Sequence, residues 1–343
     1  MILKPSSREG LGIGIYLLLS AAVLATALLC ICVGSVSIPV SETLTVIGKA
    51  LLQKTADSPI ILSVRLPRVI CVALSGAALS LSGVAMQGLL KNPLADGSTL
   101  GVSSGASLGA VVAIAFGITL PGLPFAGTTV LAILFAFLSL LLILTLAYKM
   151  DYTLSTSTII LIGVIFSMFV SSILSLIVTF AADKIKSITF WTMGSLSGST
   201  YENALVLLGA LILFGGMIFF HAGELNAFAV GEDNARNIGV NVRLVKLLVL
   251  IAASGLIGVC VSVGGTIGFV GLVTPHIARM VVGPNHKRLI PASLFGGSIF
   301  LMLCDLVSRV LLSPRELPIG VVTSFIGSIL FIVIFYQSRR CLK

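Results

Sequence analysis

Long apolar runs, interrupted by short polar breaks, recur along this chain from end to end. A membrane-crossing helix needs about 20 apolar residues. On that measure the runs predict about ten crossings, over residues 11–33, 69–90, 98–118, 125–148, 157–181, 204–220, 244–263, 268–282, 290–312 and 319–336. Barrel strands would give short alternating segments instead of continuous runs, so the crossings are helical. The first run is too long for the apolar region of a signal peptide and lacks a clear cleavage site, so it is read as a span. Three polar segments separate the runs most widely. Residues 35–60 hold a short predicted helix at 40–52, residues 183–201 form a loop with the only tryptophan, Trp191, and residues 221–242 make the longest break.

The stretch 65–109 organises the rest. Arg65-Leu-Pro-Arg68 opens it, an apolar run dense in Gly, Ala and Ser follows, and Lys91-Asn-Pro-Leu-Ala-Asp96 breaks it. Gly97, Gly101, Gly105 and Gly109 then recur every four residues, a spacing that predicts one helix face where a second backbone comes close. Two close-packed membrane helices joined by a short turn suit a bundle that moves something across a bilayer.

Composition agrees. Of 343 residues, 57% are hydrophobic and 10% are charged, where a soluble domain averages about 25% charged, and mean hydropathy is +1.17. The fold class is therefore an all-α polytopic membrane protein, one transmembrane domain over residues 1–343. The net charge of +9 comes from Lys and Arg at the ends of apolar runs. No basic patch with interleaved aromatics accompanies it, which excludes nucleic acid and leaves the lipid bilayer as the partner of these charges. Ten crossings put both termini on one side. Most of the 21 Lys and Arg fall there, including Lys4, Arg8, Arg339, Arg340 and Lys343, which makes that side the cytoplasm. Five cysteines (Cys30, Cys32, Cys71, Cys260, Cys304) lie in or beside apolar runs and read as small buried hydrophobes; Cys341 is in the tail. No Cys/His cluster has zinc spacing.

Arg65, Arg68 and Arg309 fall at outward helix ends, against the charge bias. They suit either an acidic external partner or anchoring at the lipid interface. Gly231-Glu-Asp-Asn-Ala-Arg-Asn-Ile-Gly239 reads as a short cytoplasmic helix with a glycine stop, either a docking lever for another subunit or a plain connection. Asp305 inside the ninth run, with Arg309 one turn on and Glu316 beyond, favours a structural ion pair over a proton relay. His276 suits a local hydrogen bond, and His221 and His286 read as interfacial residues. No Walker A pattern, hydrolase elbow or zinc motif occurs, so the chain is not an enzyme, and ATP-driven transport would need its motor on another chain. An ion-coupled secondary transporter would need charges at the membrane midplane around a tight site, and Asp305 alone supports that thinly.

Several motifs carry a resemblance. Arg65-Leu-Pro-Arg68, Asn92-Pro-Leu-Ala95, Leu100-Gly-Val-Ser-Ser-Gly105, Trp191-Thr-Met-Gly194, the segment 231–239, Gly268-Phe-Val-Gly-Leu-Val-Thr-Pro-His276 with Arg279, and Glu316-Leu-Pro-Ile-Gly320 resemble the FecCD family in order and spacing. These are permease subunits of type II ABC importers for iron–siderophore complexes, haem and vitamin B12. The resemblance implies a multi-pass protein of the cell membrane that pairs with a second permease subunit, identical or paralogous, around a pathway on the two-fold axis. It also implies two cytoplasmic ATPase subunits that bind the ATP, no cofactor on this chain, and an extracytoplasmic substrate-binding protein. By the same resemblance, Arg65, Arg68 and Arg309 pair with glutamates of the binding protein. The coupling segment is 231–242, with Gly231, Glu232, Ala235, Arg236 and Gly239. The fifth span, with Ser167 and Ser171, lines the pathway, and Asn92, Leu94, Thr156 and Ser157 form its cytoplasmic constriction. The sequence departs from the family pattern at Gly97–Ser98, where many members have proline, and at Gly327-Ser328-Ile329, where many have Ala-Pro after the glycine.

Overall fold

A computed structural model describes residues 12–34, 36–52, 58–119, 126–152 and 155–340. The basic tail with Lys4 and Arg8, the turn at Pro121 and Pro124, Lys54, Cys341 and Lys343 lie outside the described residues.

Every regular element among the described residues is helical. The chain runs through α1 (Gly12–Cys32), α2 (Val40–Leu51), a π-helical turn (Ile60–Arg65) continuing into α3 (Leu66–Leu90), α4 (Val102–Phe116), α5 (Ala126–Met150) and α6 (Thr156–Phe180). Next come α7 (Ile185–Thr192), α8 (Tyr201–Ala210), a second π-helical turn (Leu211–Gly215) into α9 (Gly216–Phe220), α10 (Ala222–Val230) and α11 (Glu232–Asn237). The last four are α12 (Val242–Gly264), α13 (Val270–Val282), α14 (His286–Val310) and α15 (Ile319–Arg340). Seven stretches are long and apolar enough to cross a membrane; three shorter apolar helices, α4, α13 and α15 over Ile319–Ile334, complete the ten predicted crossings.

The core lies where small residues are densest. The Ile60–Leu90 and Val242–Gly264 crossings are 83% and 78% buried over their most apolar windows, whereas α1 and α6 are 17% and 22% buried. Gly76 of α3 and Gly297 of α14 touch so closely that a Cβ on either would strike the carbonyl of the other. Ser298 Oγ donates to the Ala73 carbonyl at 2.8 Å beside that contact. Gly83 meets Gly271 of α13, whose carbonyl a Cβ on Gly83 would strike. Without a hydrophobic drive between helices in lipid, such backbone approach and interhelical hydrogen bonds provide the association.

Four features differ from the sequence reading. The second crossing starts at Ile60 rather than 69, because the helix passes through the π-helical turn, where Leu66 N–H reaches back to Ile61 C=O, before Pro67. Of the four spaced glycines only Gly105 and Gly109 lie on α4, where they pack on Ser139 and Leu131 of α5. Gly101 caps α4 in a left-handed conformation (φ 71°), and Gly97 lies in the preceding turn. There Asp96 Oδ1 accepts from the Ser98 and Thr99 amides at 3.0 and 3.1 Å, and this local bonding displaces the helix. The polar segments at 183–201 and 221–242 contain α7 and α10, whose buried faces (Ile188; Leu225 and Phe228) form only against the bundle.

The eighth crossing begins unwound. The 13 residues of α13 rise about 20 Å, so Gly265–Phe269 make up the rest of the crossing as non-helical backbone. Its backbone finds partners within the protein, as membrane depth demands: Gly265 N–H donates to Val261 C=O at 2.9 Å, and Gly268 and Phe269 C=O accept from Val270 and Val273 N–H, each at 2.9 Å.

The Gly76–Gly297 seam yields a test. Gly297→Ala should lower the thermal stability of the detergent-solubilised protein, by about 1–3 kcal/mol. Gly296→Ala should not, because nothing lies within 4 Å of a Cβ there. Equal melting temperatures for the two variants would refute the contact.

Candidate functional site

At the end of the bundle that the charge bias predicts to face outward, here called the outer end, the last turn of α1 leaves carbonyls without helical partners. Two arginines supply the donors. Arg65 Nη1 donates to Ile31 and Cys32 C=O at 2.6 and 3.2 Å, and Nη2 donates to Val36 C=O. Arg309 Nη2 and Nη1 donate to Cys30 and Val33 C=O at 3.0 and 3.3 Å. Asp305 of α14, 1% exposed, ties this cap to α3. Arg68 Nε and Nη2 donate to its Oδ1 at 3.0 and 2.9 Å, and Arg68 Nη1 spans both oxygens of Glu316 at 3.1 and 2.9 Å. Arg309 Nε stands 3.0 Å from Asp305 Oδ2, close enough for an ion pair but off the line of a hydrogen bond. The expected Asp305–Arg309 pair is therefore present within a larger network.

All three arginines are engaged within the protomer. Arg65, Arg68 and Arg309 are at most 6% exposed. Orphan carbonyls and a buried carboxylate both require donors at this point, and the guanidiniums meet that need inside the protomer. Glu316, 43% exposed in its side chain, is the part of the cluster that faces outward most.

At the inner end, α10 and α11 form the longest polar connection. Gly231 (φ 145°) breaks between them. Gly239 (φ 90°) closes α11, with Gly239 N–H on Arg236 C=O and Val240 N–H on Ala235 C=O, a Schellman arrangement. Ala235 is fully buried, and Arg236 is exposed with Asp233 3.8 Å away. Glu232 anchors α11 to α12 through Lys246 Nζ at 2.9 Å. Sequence reasoning missed this tie, because 14 residues separate the partners and no helix register joins them. It also placed His286 at the interface, whereas the structure buries it. Asn226 Oδ1 of α10 accepts from the His286 amide at 2.8 Å and faces its ring Nδ1 at 2.9 Å, and the ring's Nε2 edge fills the space beside Gly88 of α3. His276, expected to make a local hydrogen bond, instead turns its ring edge-on towards Phe331, with Nδ1 buried and unpartnered among the described residues.

The predicted constriction residues lie in two places, the turn after α3 and the start of α6. Asn92 Oδ1 accepts from Leu94 N–H at 2.9 Å and leaves the Leu94 side chain 48% exposed. Thr156 and Ser157 open α6 behind the Ser155 cap. Gly163 packs on Thr99 C=O, and Ser167 Oγ donates to Ser98 C=O at 3.3 Å, which joins α6 to that turn. Ser171 is exposed and accepts at its carbonyl from Ser175 Oγ at 3.0 Å; Ser172 and Thr179 likewise bond back to their own helix. A cavity of about 270 Å³ lies between α3, α4, α12 and the unwound stretch, with Ser82, Asp96, Ser98, Ser103, Ser107 and Thr266 in its wall. Among the described residues no three His, Cys, Asp or Glu side chains cluster to hold a metal ion.

A model of the FecCD transport family matches residues 22–337. The chain belongs to that family. Its FecCD relatives include the ABC transporter permease protein YvrB of Bacillus subtilis, 43% identical over 82% of this chain and 80% of the relative. The molybdate import permease MolB of Haemophilus influenzae is 35% identical over 98% of both chains. Other relatives are named for vitamin B12 and iron chelatin transport. A solved structure described as an inward-facing conformation of an ABC transporter of metal-chelate type superposes with a TM-score of 0.84, at 33% identity, over 94% of this chain and 99% of its own. This FecCD protein is an ABC-importer permease, and its helices α1–α15 form that permease fold.

Removing the carboxylate at the outer cluster leaves buried Arg68 with Glu316 alone and buried Arg309 with only carbonyl partners. Asp305→Asn should cost about 3–5 kcal/mol, read as a lowered melting temperature. A proton-relay residue would instead leave the melting temperature unchanged while uptake stopped, and that result would overturn the structural assignment.

Proposed function

We propose that this permease carries a ferric chelate of the siderophore class inward by alternating access, driven by separate cytoplasmic ATPase subunits. The observation that carries this reading is the hydroxyl-rich character of the groups nearest the predicted pathway. The exposed face of α6 presents Ser171, Ser172, Ser175 and Thr179, and the adjoining cavity adds five serines and one carboxylate, Asp96. A bulky chelate must pass without being held tightly, and weak, evenly spread polar contacts suit that need better than a dense charged site. The metal-chelate neighbour and the iron chelatin relative support the same class. Vitamin B12, haem and molybdate are the competing cargoes.

In this reading two permease subunits, identical or paralogous, enclose the pathway between their α6 helices. Asn92, Leu94, Thr156 and Ser157 close its cytoplasmic end. The α10–α11 pair sits in a cleft of the ATPase and transmits its closure. Gly231 and Gly239 set the turns of that lever, Glu232 pins it to α12, and the exposed Arg236 meets the partner. An extracytoplasmic binding protein docks over the outer cluster. There three arginines against Asp305 and Glu316 leave an excess of positive charge below the rim. The termini lie in the cytoplasm, and the protein resides in the cell membrane.

Two experiments test this. Proteoliposomes holding the permease, its ATPase and its binding protein should accumulate a labelled ferric hydroxamate or catecholate with ATP and not with an ATPase-dead partner. Uptake of cobalamin, haem or molybdate in its place would keep the transporter and change the cargo, whereas uptake with the dead ATPase would sink the ATP-driven reading. Ala235→Pro breaks α11 at its buried centre and should abolish transport and ATPase association; normal behaviour of both would place the lever elsewhere.

A further inference from the structure

A second recess lies away from the pathway, where the last turns of α5 and the start of α6 meet the first turns of α12. It is a slot of about 240 Å³ walled by Leu144, Ile159, Leu247 and Leu250, with Tyr148 and Arg243 among its polar-ended members. The crossing of α5 ends at Met150 and that of α12 begins at Val242. Tyr148 and Arg243 therefore stand at headgroup depth, and the aliphatic wall lies below them in the acyl region. The Arg243 guanidinium carbon sits 4.9 Å from the centroid of the Tyr148 ring. Among the described residues no carboxylate pairs with Arg243. Lys246, one turn further along α12, lines the same slot and carries the Glu232 tie to α11.

We propose that this slot binds one anionic phospholipid from the leaflet on the α11 side, with its phosphate on Arg243 and an acyl chain along Leu144, Leu247 and Leu250. Arginine recognises phosphate through several donors and stacks on aromatic rings at the same time. Basic pockets between membrane helices on the cytoplasmic side suit acidic headgroups, and a tyrosine at that depth suits the interface. A free phosphate would use the cation and leave the aliphatic wall unfilled; a lipid uses both. Because Lys246 is shared, a seated headgroup adds a second anion near the Lys246–Glu232 tie and adjusts how firmly α11 is held. Binding rests only on the helices crossing a bilayer; the effect on α11 rests on the coupling role proposed above.

Native mass spectrometry of the purified permease released from nanodiscs tests the binding. Discs of mixed phosphatidylglycerol and phosphatidylcholine should yield protein retaining one phosphatidylglycerol. Arg243→Gln should lower that retention about fivefold, the effect of one interfacial cation, and Arg243→Lys should restore part of it. Arg243 is exposed, so a monodisperse peak from the Gln variant serves as the folding control. Equal retention in wild type and Arg243→Gln, no preference for phosphatidylglycerol, or displacement by millimolar inorganic phosphate would each overturn the lipid site. Transport per ATP, measured in reconstituted complexes with and without phosphatidylglycerol, separates the two claims. Selective lipid retention with unchanged coupling would keep the site and overturn its influence on α11. Failure of all ATP-driven uptake would count against the transport reading and leave the mass-spectrometric result standing.

Discussion

The close approach of α3 and α14 is the contact on which the rest of the bundle depends. Lipid gives helices no hydrophobic reason to pair, so association rests on backbone proximity and on hydrogen bonds that lipid cannot supply. Gly76 and Gly297 provide the first, and Ser298 on Ala73 provides the second. The seam is then fastened at both ends by different chemistry: the Arg68–Asp305 pair outside, and the His286 ring in the space beside Gly88 inside. The helix pair is thus held at three heights. Its inner end touches α10 through Asn226, and its outer end carries the arginine cluster. The α10–α11 pair and the arginine cluster are thereby tied to the same two helices.

The outer cluster shows why charge at a helix end need not mean a free docking group. Arg65 and Arg309 are occupied by the terminal carbonyls of α1, and Arg68 by two carboxylates. Seen from the surface, the network offers its excess charge only through its field, and Glu316 directly. Electrostatic attraction of that kind governs encounter and orientation more than the strength of the final contact.

How much of this was legible in the sequence follows from range. The crossings were legible because apolar runs are local and lipid demands length. The Asp305–Arg309 pair was legible because i and i+4 share a helix face. Arg68 with Asp305 and Asn226 with His286 were not, since 237 and 60 residues separate the partners. α7 and α10 were hidden because their few apolar residues acquire helical meaning only against the bundle, and Gly97 and Gly101 misled because the Asp96 side chain captures the amides a helix would have used. The unwound start of the eighth crossing left one trace, an apolar run shorter than its neighbours, with the glycines that now line the break.

The cap on α1 also bears on how the protein is made. α1 is the first apolar helix of the chain, it is only lightly buried, and half of its cap comes from Arg309, 279 positions beyond Cys30. During synthesis the first crossing therefore enters the bilayer with its outer carbonyls partly open, held by Arg65 alone once α3 has followed. It is sealed only when α14 emerges and brings Arg309 and Asp305 together. A chain that stops short of that helix keeps an unlatched first span and an Arg68 with neither Asp305 nor Glu316 to pair it.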